Sequence, residues 1–158
     1  MNMSLKNLLN KLIKEGKLKR QDTGIDYLNN LLDAARRNFE AAAIVKGKVD
    51  EAAFKLVYDG LLQIGRVILL VNGYRPDDGE QHKTTFFVSG EFLGKELNDL
   101  IKKIQKFRIK RNDCIYEPRG IISRSEAEAI YRTSQEFWSK AKSYLQKRNP
   151  QLELFKEF

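Results

Sequence analysis

The sequence predicts an all-α protein, an antiparallel up-and-down helical bundle of about five long helices plus a short N-terminal helix. Apolar residues recur at steps of three and four along several long segments, which is the spacing of one buried helix face. Glycine, proline and capping residues separate these segments. No alternating strand pattern of useful length occurs, so no sheet is expected.

The chain divides into three predicted parts: an N-terminal helical extension (1–22), the bundle (23–148) and a C-terminal tail (149–158). The extension begins with an amphipathic stretch that suits a separate short helix. The tail combines charges with four apolar residues and can either dock on the bundle or a partner, or fray. These apolar residues are Leu152, Leu154, Phe155 and Phe158.

Two long helices are predicted on either side of the turn "KGKVD", and Asp50 at its end is placed to cap the second. The apolar face of the first helix is formed by Ile25, Leu28, Leu32, Ala35, Phe39 and Ala42. The face of the second is formed by Phe54, Val57, Leu61, Ile64, Ile68 and Val71. These two faces are expected to supply much of the core.

The break "NGYRPDDGE" ends the second long helix, because its glycines and proline cannot continue it, and a shorter segment follows at about residues 80–93. The next helix carries Leu97, Leu100, Ile104 and Phe107 at helical spacing. After "EPRGIIS", Ser123 and Glu126 form a capping box for the last helix. Its apolar face carries Ala127, Ile130, Ser134, Phe137, Ala141 and Tyr144, with Trp138 expected in the core or an interface.

Composition limits the classes of protein to consider. The 158 residues suit one domain, and no run of 18 apolar residues predicts a membrane helix. The N-terminus does not resemble a secretory signal and the single cysteine excludes an internal disulfide, which together favour the cytoplasm. No cofactor or metal site is expected, since P-loop, dinucleotide and paired-cysteine motifs are missing. The net charge of +8 favours either attraction to a polyanion or simply a basic solvated surface.

An arginine interrupts the apolar stripe of the helix that starts near Leu97. Continuing that series by four and three reaches Arg111 and then Cys114, which is expected to be a small buried residue. A buried guanidinium without a partner is costly, so Arg111 needs an anion, a carboxylate or a wet cleft. The plain structural alternative is that it lies near the helix end and pairs with Asp113 or Glu117.

The same helix is strongly basic, because it carries six lysine and arginine residues between Lys102 and Arg111. This face is either a solvated surface or a groove for RNA phosphates, with Phe107, Tyr116 and Tyr74 as interleaved aromatic residues. The candidate RNA-binding residues are Lys103, Lys106, Arg108, Lys110 and Arg111.

Three stretches together resemble a HEPN domain (higher eukaryotes and prokaryotes nucleotide-binding domain). They are "GYRPDDGEQHKTTFF", "LIKKIQKFRIKRNDCIYEP" and "SRSEAEAIYRTSQEFWSKAKSYL", and the likeness covers about residues 24–147. The resemblance implies a helical bundle that forms a homodimer. It also implies RNA as a ligand, because many members are metal-independent endoribonucleases. Often these are toxins paired with a small nucleotidyltransferase antitoxin.

The family motif places an arginine, a polar residue and then a histidine in a cleft between two copies. Arg111 and Asn112 match the first two positions, while Tyr116 stands where the histidine is expected. The resemblance therefore gives Arg111, Asn112 and Tyr116 as the candidate catalytic residues. Arginine suits a charged phosphorane, but tyrosine, with a pKa near 10, is a poor general base at neutral pH. Binding survives this substitution more easily than cleavage.

His82 is the only histidine. One expectation for His82 is a purely structural role, in which it forms a local hydrogen bond to Asp77 or Asp78. The alternative is a catalytic role, which requires that His82 lie close to Arg111 in the folded protein. Three hypotheses follow: an RNA-binding protein with weak or no nuclease activity, an active ribonuclease toxin, and a non-catalytic interaction module that partners a nucleotidyltransferase.

Overall fold

The computed structural model describes residues 1–117 and 122–158, and the break "EPRGIIS" lies mostly outside these ranges. The described residues form six α-helices and one 3₁₀ turn, in agreement with the predicted all-α bundle. The helices are α1 (Met3–Lys14), α2 (Ile25–Val45), α3 (Asp50–Val71), α4 (Gln81–Leu93), α5 (Asn98–Tyr116) and α6 (Arg124–Arg148). The 3₁₀ turn, Lys95–Leu97, joins α4 to α5.

A two-stranded antiparallel sheet was not predicted. It pairs β1 (Leu18–Arg20) with β2 (Tyr74–Pro76), in the register Leu18 with Pro76 and Arg20 with Tyr74. Each strand has three residues, which is too short for an alternating pattern to be recognised in a sequence. The sheet connects the segment after α1 to the segment before α4.

Helix α3 lies at the centre of the bundle and packs against α2, α4, α5 and α6. Its predicted face is buried except for Val71, which is partly buried, and further residues around the helix such as Tyr58 and Val67 are buried too. A helix that is apolar on most sides is expected at the middle of a core. The second face of α3 allows α4 and α5 to pack beside it, and this packing positions the candidate site.

Residues of α1 and β1 pack onto the bundle through a smaller apolar cluster. Leu9, Leu12 and Leu18 contact Leu69 of α3 and Val88 of α4. The predicted N-terminal helix is therefore present and docked on α3 and α4. No helix among the described residues is both long and apolar enough to cross a membrane.

Of the two predicted helix caps, one is confirmed and one is wrong. Ser123 and Glu126 form the capping box of α6, as predicted. The prediction for Asp50 is wrong, because Val49 occupies the cap position and Asp50 is the first helical residue. The Asp50 carboxylate instead accepts a hydrogen bond from Arg124 Nε at 2.6 Å, which links the start of α3 to the start of α6.

The C-terminal tail docks on the bundle, which was one of its two predicted outcomes. The ring of Phe155 stacks on Trp138 with centroids 4.0 Å apart, and Phe158 stacks on Phe39 at 4.6 Å. The Gln135 side chain donates to the carbonyl of Phe158 at 2.6 Å. Trp138 is thus a core residue, covered by the tail.

Candidate functional site

Arg111 lies on the buried stripe of α5 and turns towards α3. Leu100, Ile104 and Cys114 of the same stripe are buried, while Arg111 is half-buried. Its Nη2 atom is 3.8 Å from Asp59 Oδ1, and its Cζ atom is 5.1 Å from the centroid of the Tyr58 ring. Of the partners considered from sequence, a carboxylate is correct, but it comes from α3 and not from Asp113 or Glu117.

His82 lies at the start of α4 and contacts the same tyrosine. Its Nδ1 atom is 3.0 Å from the Tyr58 hydroxyl, so the predicted local bond to Asp77 or Asp78 does not form. Asp78 instead accepts hydrogen bonds from the Thr84 hydroxyl and the Glu80 backbone amide. Tyr58 therefore connects His82 on one side to Arg111 on the other. We call Tyr58, Asp59, His82 and Arg111 the Tyr58 cluster.

Burial and charge shift the protonation of the Tyr58 cluster. Burial lowers the pKa of His82, and the nearby cations Arg111, Arg108 and Arg66 lower it further, while Asp59 opposes them. Burial raises the pKa of Asp59, and Arg111 opposes this shift. His82 is therefore mostly neutral at pH 7. Burial also raises the pKa of Tyr58, so its hydroxyl keeps its proton.

The direction of the hydrogen bond between Tyr58 and His82 decides what the imidazole can do. A neutral imidazole has one donor and one acceptor nitrogen. If the Tyr58 hydroxyl donates to Nδ1, then Nε2 carries the proton and can donate to a phosphate. If Nδ1 carries the proton, Nε2 is an acceptor and can serve as a base. The Tyr58 hydroxyl has no other acceptor among the described residues, which favours the first arrangement.

A cleft of about 470 Å³ lies beside the Tyr58 cluster, between the start of α4 and the second half of α5. We call it the α4–α5 cleft. Arg108 and Asn112 of α5 face His82 and Lys83 of α4 across it. The Gln105 side chain donates to the carbonyl of Lys83 at 3.0 Å and so holds the two helices together. The walls of the cleft thus carry several hydrogen-bond donors.

Carboxylates also line the α4–α5 cleft, and each has a partner. Asp78 is held by Thr84, and Glu80 Oε2 is 3.6 Å from Lys83 Nζ. Arg108 donates from Nε to the Gln105 side chain at 2.7 Å and has no carboxylate within ion-pair distance in residues 1–117 and 122–158. Arg108 is therefore the cation of this cleft that is most open to an anionic ligand.

The predicted RNA-binding residues do not form one face. On an ideal helix, Lys103, Lys106 and Lys110 each lie about 140–160° from Arg108. Lys110 Nζ is 3.4 Å from Glu126 Oε2 of α6, whereas Arg111 contacts α3. The basic run of α5 therefore divides into a lysine face and an arginine face, and only the arginine face adjoins His82.

Tyr116 is separate from the Tyr58 cluster within one chain. Its side chain is 86% exposed at the end of α5, beside Lys110 and Glu117. Five helical residues rotate the direction of a side chain by about 140°, so Arg111 and Tyr116 diverge. Asn112 is exposed and lines the α4–α5 cleft. The structure thus places Arg111 and Asn112 near His82, and it places Tyr116 elsewhere.

Tyr58 and Asp59 were missed from the sequence. One signal was available for Tyr58, which is four residues after Phe54 and three before Leu61 and so shares their buried face. A buried tyrosine hydroxyl requires a hydrogen-bond partner, and this requirement marks the position as unusual. The identity of that partner depends on how α4 packs. Among the described residues, no three His, Cys, Asp or Glu side chains are grouped so as to hold a metal.

Comparisons of the chain with protein families, with curated proteins and with solved structures found no match.

Proposed function

We propose that this protein binds single-stranded RNA and that the α4–α5 cleft holds the RNA phosphates. The observation that carries the proposal is the arrangement of Arg108, Asn112 and Arg111 on α5 beside His82 on α4. Guanidinium, amide and Nε2–H groups are donors that match phosphate oxygens. The net charge of +8 would draw a polyanion towards the molecule. The resemblance to HEPN domains supports RNA as the polyanion.

The test is RNA affinity measured by fluorescence anisotropy with a short labelled single-stranded RNA. Arg108→Ala should weaken binding about tenfold, because one charge-assisted contact to phosphate is lost. The dependence of affinity on salt should also become shallower by roughly one phosphate contact. Arg132→Ala is the matched control, since Arg132 is an exposed arginine on α6 with no ion pair among the described residues. Equal affinities for the two variants would refute the proposal.

A second candidate function is RNA cleavage without a metal ion, favoured by the connection of His82 to Arg111 through Tyr58. In this reaction Nε2 of His82 would take the 2′-hydroxyl proton, and the 2′-oxygen would attack the phosphorus. The 5′-oxygen would leave and take a proton from solvent water, giving a 2′,3′-cyclic phosphate and a 5′-hydroxyl, while Arg111 stabilises the charged phosphorane. This reaction requires the second arrangement of the Tyr58–His82 bond.

Cleavage assays separate the two candidates. Under the binding proposal, wild-type protein retains RNA without cutting it. In a homodimer that brings position 116 of one copy near Arg111 of the other, Tyr116→His should create or raise cleavage by supplying an imidazole there. Under the second candidate, wild-type protein cuts RNA and His82→Gln abolishes the cut, whereas Tyr116→Phe leaves the rate unchanged. The toxin-like role and a nucleotidyltransferase partner remain part of the proposal, and co-purification with such an enzyme would test them.

A further inference from the structure

A second cavity adjoins the α4–α5 cleft, and it lies between the start of α2, the second half of α3 and β2. We call it the α2–α4 cavity. We propose that it receives one nucleobase of the nucleic acid whose phosphate lies in the α4–α5 cleft, so that the two spaces together hold one nucleotide. This inference rests on the proposed function, because the phosphate position is taken from it.

The size and lining of the α2–α4 cavity suit a nucleobase with its sugar. Its volume is about 610 Å³, which is within the usual range for small-molecule sites. Leu62 and Leu70 of α3 give it an apolar floor, while Arg66 and Arg75 lie at its walls. Arg66 donates to the Tyr27 hydroxyl, and Arg75 Nη1 is 3.3 Å from Asp77 Oδ1. Each guanidinium has five N–H donors, so a purely aliphatic ligand would cover the remaining N–H groups without bonding to them, and an inorganic anion would not fill the space. A planar ring with polar edges next to a phosphate satisfies both kinds of surface.

Tyr27 supplies a stacking surface in the cavity. Its side chain is 48% exposed, and its hydroxyl accepts a hydrogen bond from Arg66 Nη2 at 3.2 Å, which fixes the ring in place. Tyr74 also lines the cavity but is only 5% exposed, since Arg20 and Phe92 cover it. A base would therefore stack on Tyr27, while Tyr74 serves as a wall.

An unpartnered hydroxyl points to a polar ligand. Thr23 Oγ1 is buried and has no hydrogen-bond partner among the described residues, and Thr23 lines this cavity. A buried polar atom without a partner is unfavourable, so a ligand that bonds to it would gain that interaction. The side-chain amides of Gln21 and Gln81 also line the cavity and can both donate and accept. These three groups match the polar edge of a base.

The two spaces share residues at their junction. Gln81 and His82 line both the α2–α4 cavity and the α4–α5 cleft. His82 uses Nδ1 for Tyr58, so Nε2 is the ring nitrogen available to a ligand there. A nucleotide that crosses this junction would place its phosphate near Arg108 and its base near Tyr27. Single-stranded RNA presents bases and phosphates in this way because its bases are unpaired.

The experiment compares the affinity for a short RNA with the affinity for a chain of equal length made of abasic ribose phosphates. Wild-type protein should prefer the RNA by about tenfold, the order expected from stacking one base on an aromatic side chain. Tyr27→Ala should bind both chains equally, whereas Tyr27→Phe should keep the preference. Ile44→Ala is the matched control, because it removes an exposed apolar side chain from the far end of the same helix. Circular dichroism melting confirms that each variant is folded.

The outcomes separate this inference from the proposed function. If Arg108→Ala weakens binding of both chains while Tyr27→Ala keeps the full preference for RNA, the base pocket is refuted and the phosphate cleft stands. If Arg108→Ala has no effect on either chain, both proposals are refuted. Competition with a free nucleoside monophosphate then identifies the source of the base. Displacement of the RNA by the monophosphate indicates that a single free nucleotide is a sufficient ligand. Displacement only by a longer chain indicates that the ligand is RNA.

Discussion

His82 can be observed directly in solution, because it is the only histidine in the chain and its imidazole signals need no separate assignment. Nitrogen chemical shifts of the ring distinguish the two neutral arrangements, since a protonated and an unprotonated ring nitrogen differ strongly. We expect the proton on Nε2 at neutral pH, with Tyr58 donating to Nδ1. A proton on Nδ1 would favour the cleavage candidate.

The stability of the protein should decrease on mild acidification partly because of His82. Its pKa in the folded protein is below the usual value of about 6.5, so the unfolded chain binds a proton more readily. The contribution is complete above about pH 6.5 and is lost as the pH falls from there towards the folded-state pKa. Urea unfolding of wild-type protein and His82→Gln at several pH values measures it. A wild-type protein that loses no more stability than the variant would contradict this expectation.

Arg111→Ala should change both binding and stability. The guanidinium contacts the Tyr58 ring and Asp59, so its loss should destabilise the fold by roughly 1 kcal/mol and leave a half-buried carboxylate without its cation. RNA affinity should fall more than for Lys17→Ala, which removes an exposed cation after α1. Thermal melting and anisotropy on the same samples give both quantities. Unchanged RNA affinity with lower stability would assign Arg111 a purely structural role.

The residues of the site differ in how far the sequence could predict them. Arg111 was predicted to need a partner because its position on an apolar stripe follows from local spacing alone. Asp59 and Tyr58 were not predicted, because they lie about fifty residues earlier and approach Arg111 only through the packing of α3 against α5. The role of His82 depends on the same long-range packing. Local patterns identify the unusual side chain and leave its partners open.

At the scale of elements, the distance between α3 and α4 is set by small residues. A Cβ atom added at Gly65 would lie 2.9 Å from Thr85 Cγ2 and 3.3 Å from Ser89 Oγ. The Ser89 hydroxyl bonds to the carbonyls of Gly65 and Thr85, at 3.1 and 2.7 Å. Since His82 is one turn before Thr85, this contact positions the imidazole against Tyr58.

Gly65→Ala should therefore disturb the site from a distance. We expect a loss of about 1–3 kcal/mol from overpacking, despite the better helix propensity of alanine, together with a changed chemical shift of the His82 ring. Gly60→Ala is the matched control, because it crowds Phe39 of α2 at 2.7 Å and does not face α4. It should destabilise the protein and leave the His82 signal nearly unchanged. Equal shifts in both variants would show that α4 is not held through Gly65.

Helices α2, α3, α5 and α6 were predictable because each has a periodic apolar face of about three turns or more. The short strands were not, and neither was the start of α3 at Asp50, where the observed partner is Arg124 of a distant helix. The docking of the tail was left open because its four apolar residues have no regular spacing. Their binding place is set by the rings of Trp138 and Phe39, which the tail covers.

At the scale of the whole molecule, we propose that the protein forms the homodimer that the resemblance implies, and the exposed apolar surface of α5 supports this proposal. Ile109 is 52% exposed, and on an ideal helix it lies within about 20° of the direction of Tyr116. A second copy could cover these side chains and bring Tyr116 of one chain nearer to Arg111 of the other. Within one chain the two residues diverge.

We therefore expect wild-type protein to be a dimer by size-exclusion chromatography with light scattering, and Ile109→Asp to be a monomer. A buried aspartate without a partner disfavours association. Ile44→Asp places the same charge at an exposed position of α2 and should leave the dimer intact. A monomeric wild-type protein at high concentration would exclude the dimer and any site shared between two copies.

Net charge describes the surface only coarsely. The excess of cations is a property of composition, whereas the division of α5 into a lysine face and an arginine face depends on which neighbours flank the helix. Glu126 of α6 neutralises Lys110, and this pairing spans a connection whose geometry no local pattern predicts.

The pairing of β1 with β2 has a consequence for ligand binding. Residues from both strands of this sheet line the α2–α4 cavity. Gln21 follows β1 and donates its backbone N–H to the Gly73 carbonyl, and all of β2 lies in the cavity wall. Separation of β1 from β2 would remove this wall of the cavity, so the ligand can bind only while the two strands are paired. Ligand binding should then slow amide hydrogen exchange in residues 18–21 and 74–77 in proportion to the fraction of protein that is bound. Removal of α1 should also lower the affinity for the ligand, although α1 does not line the cavity.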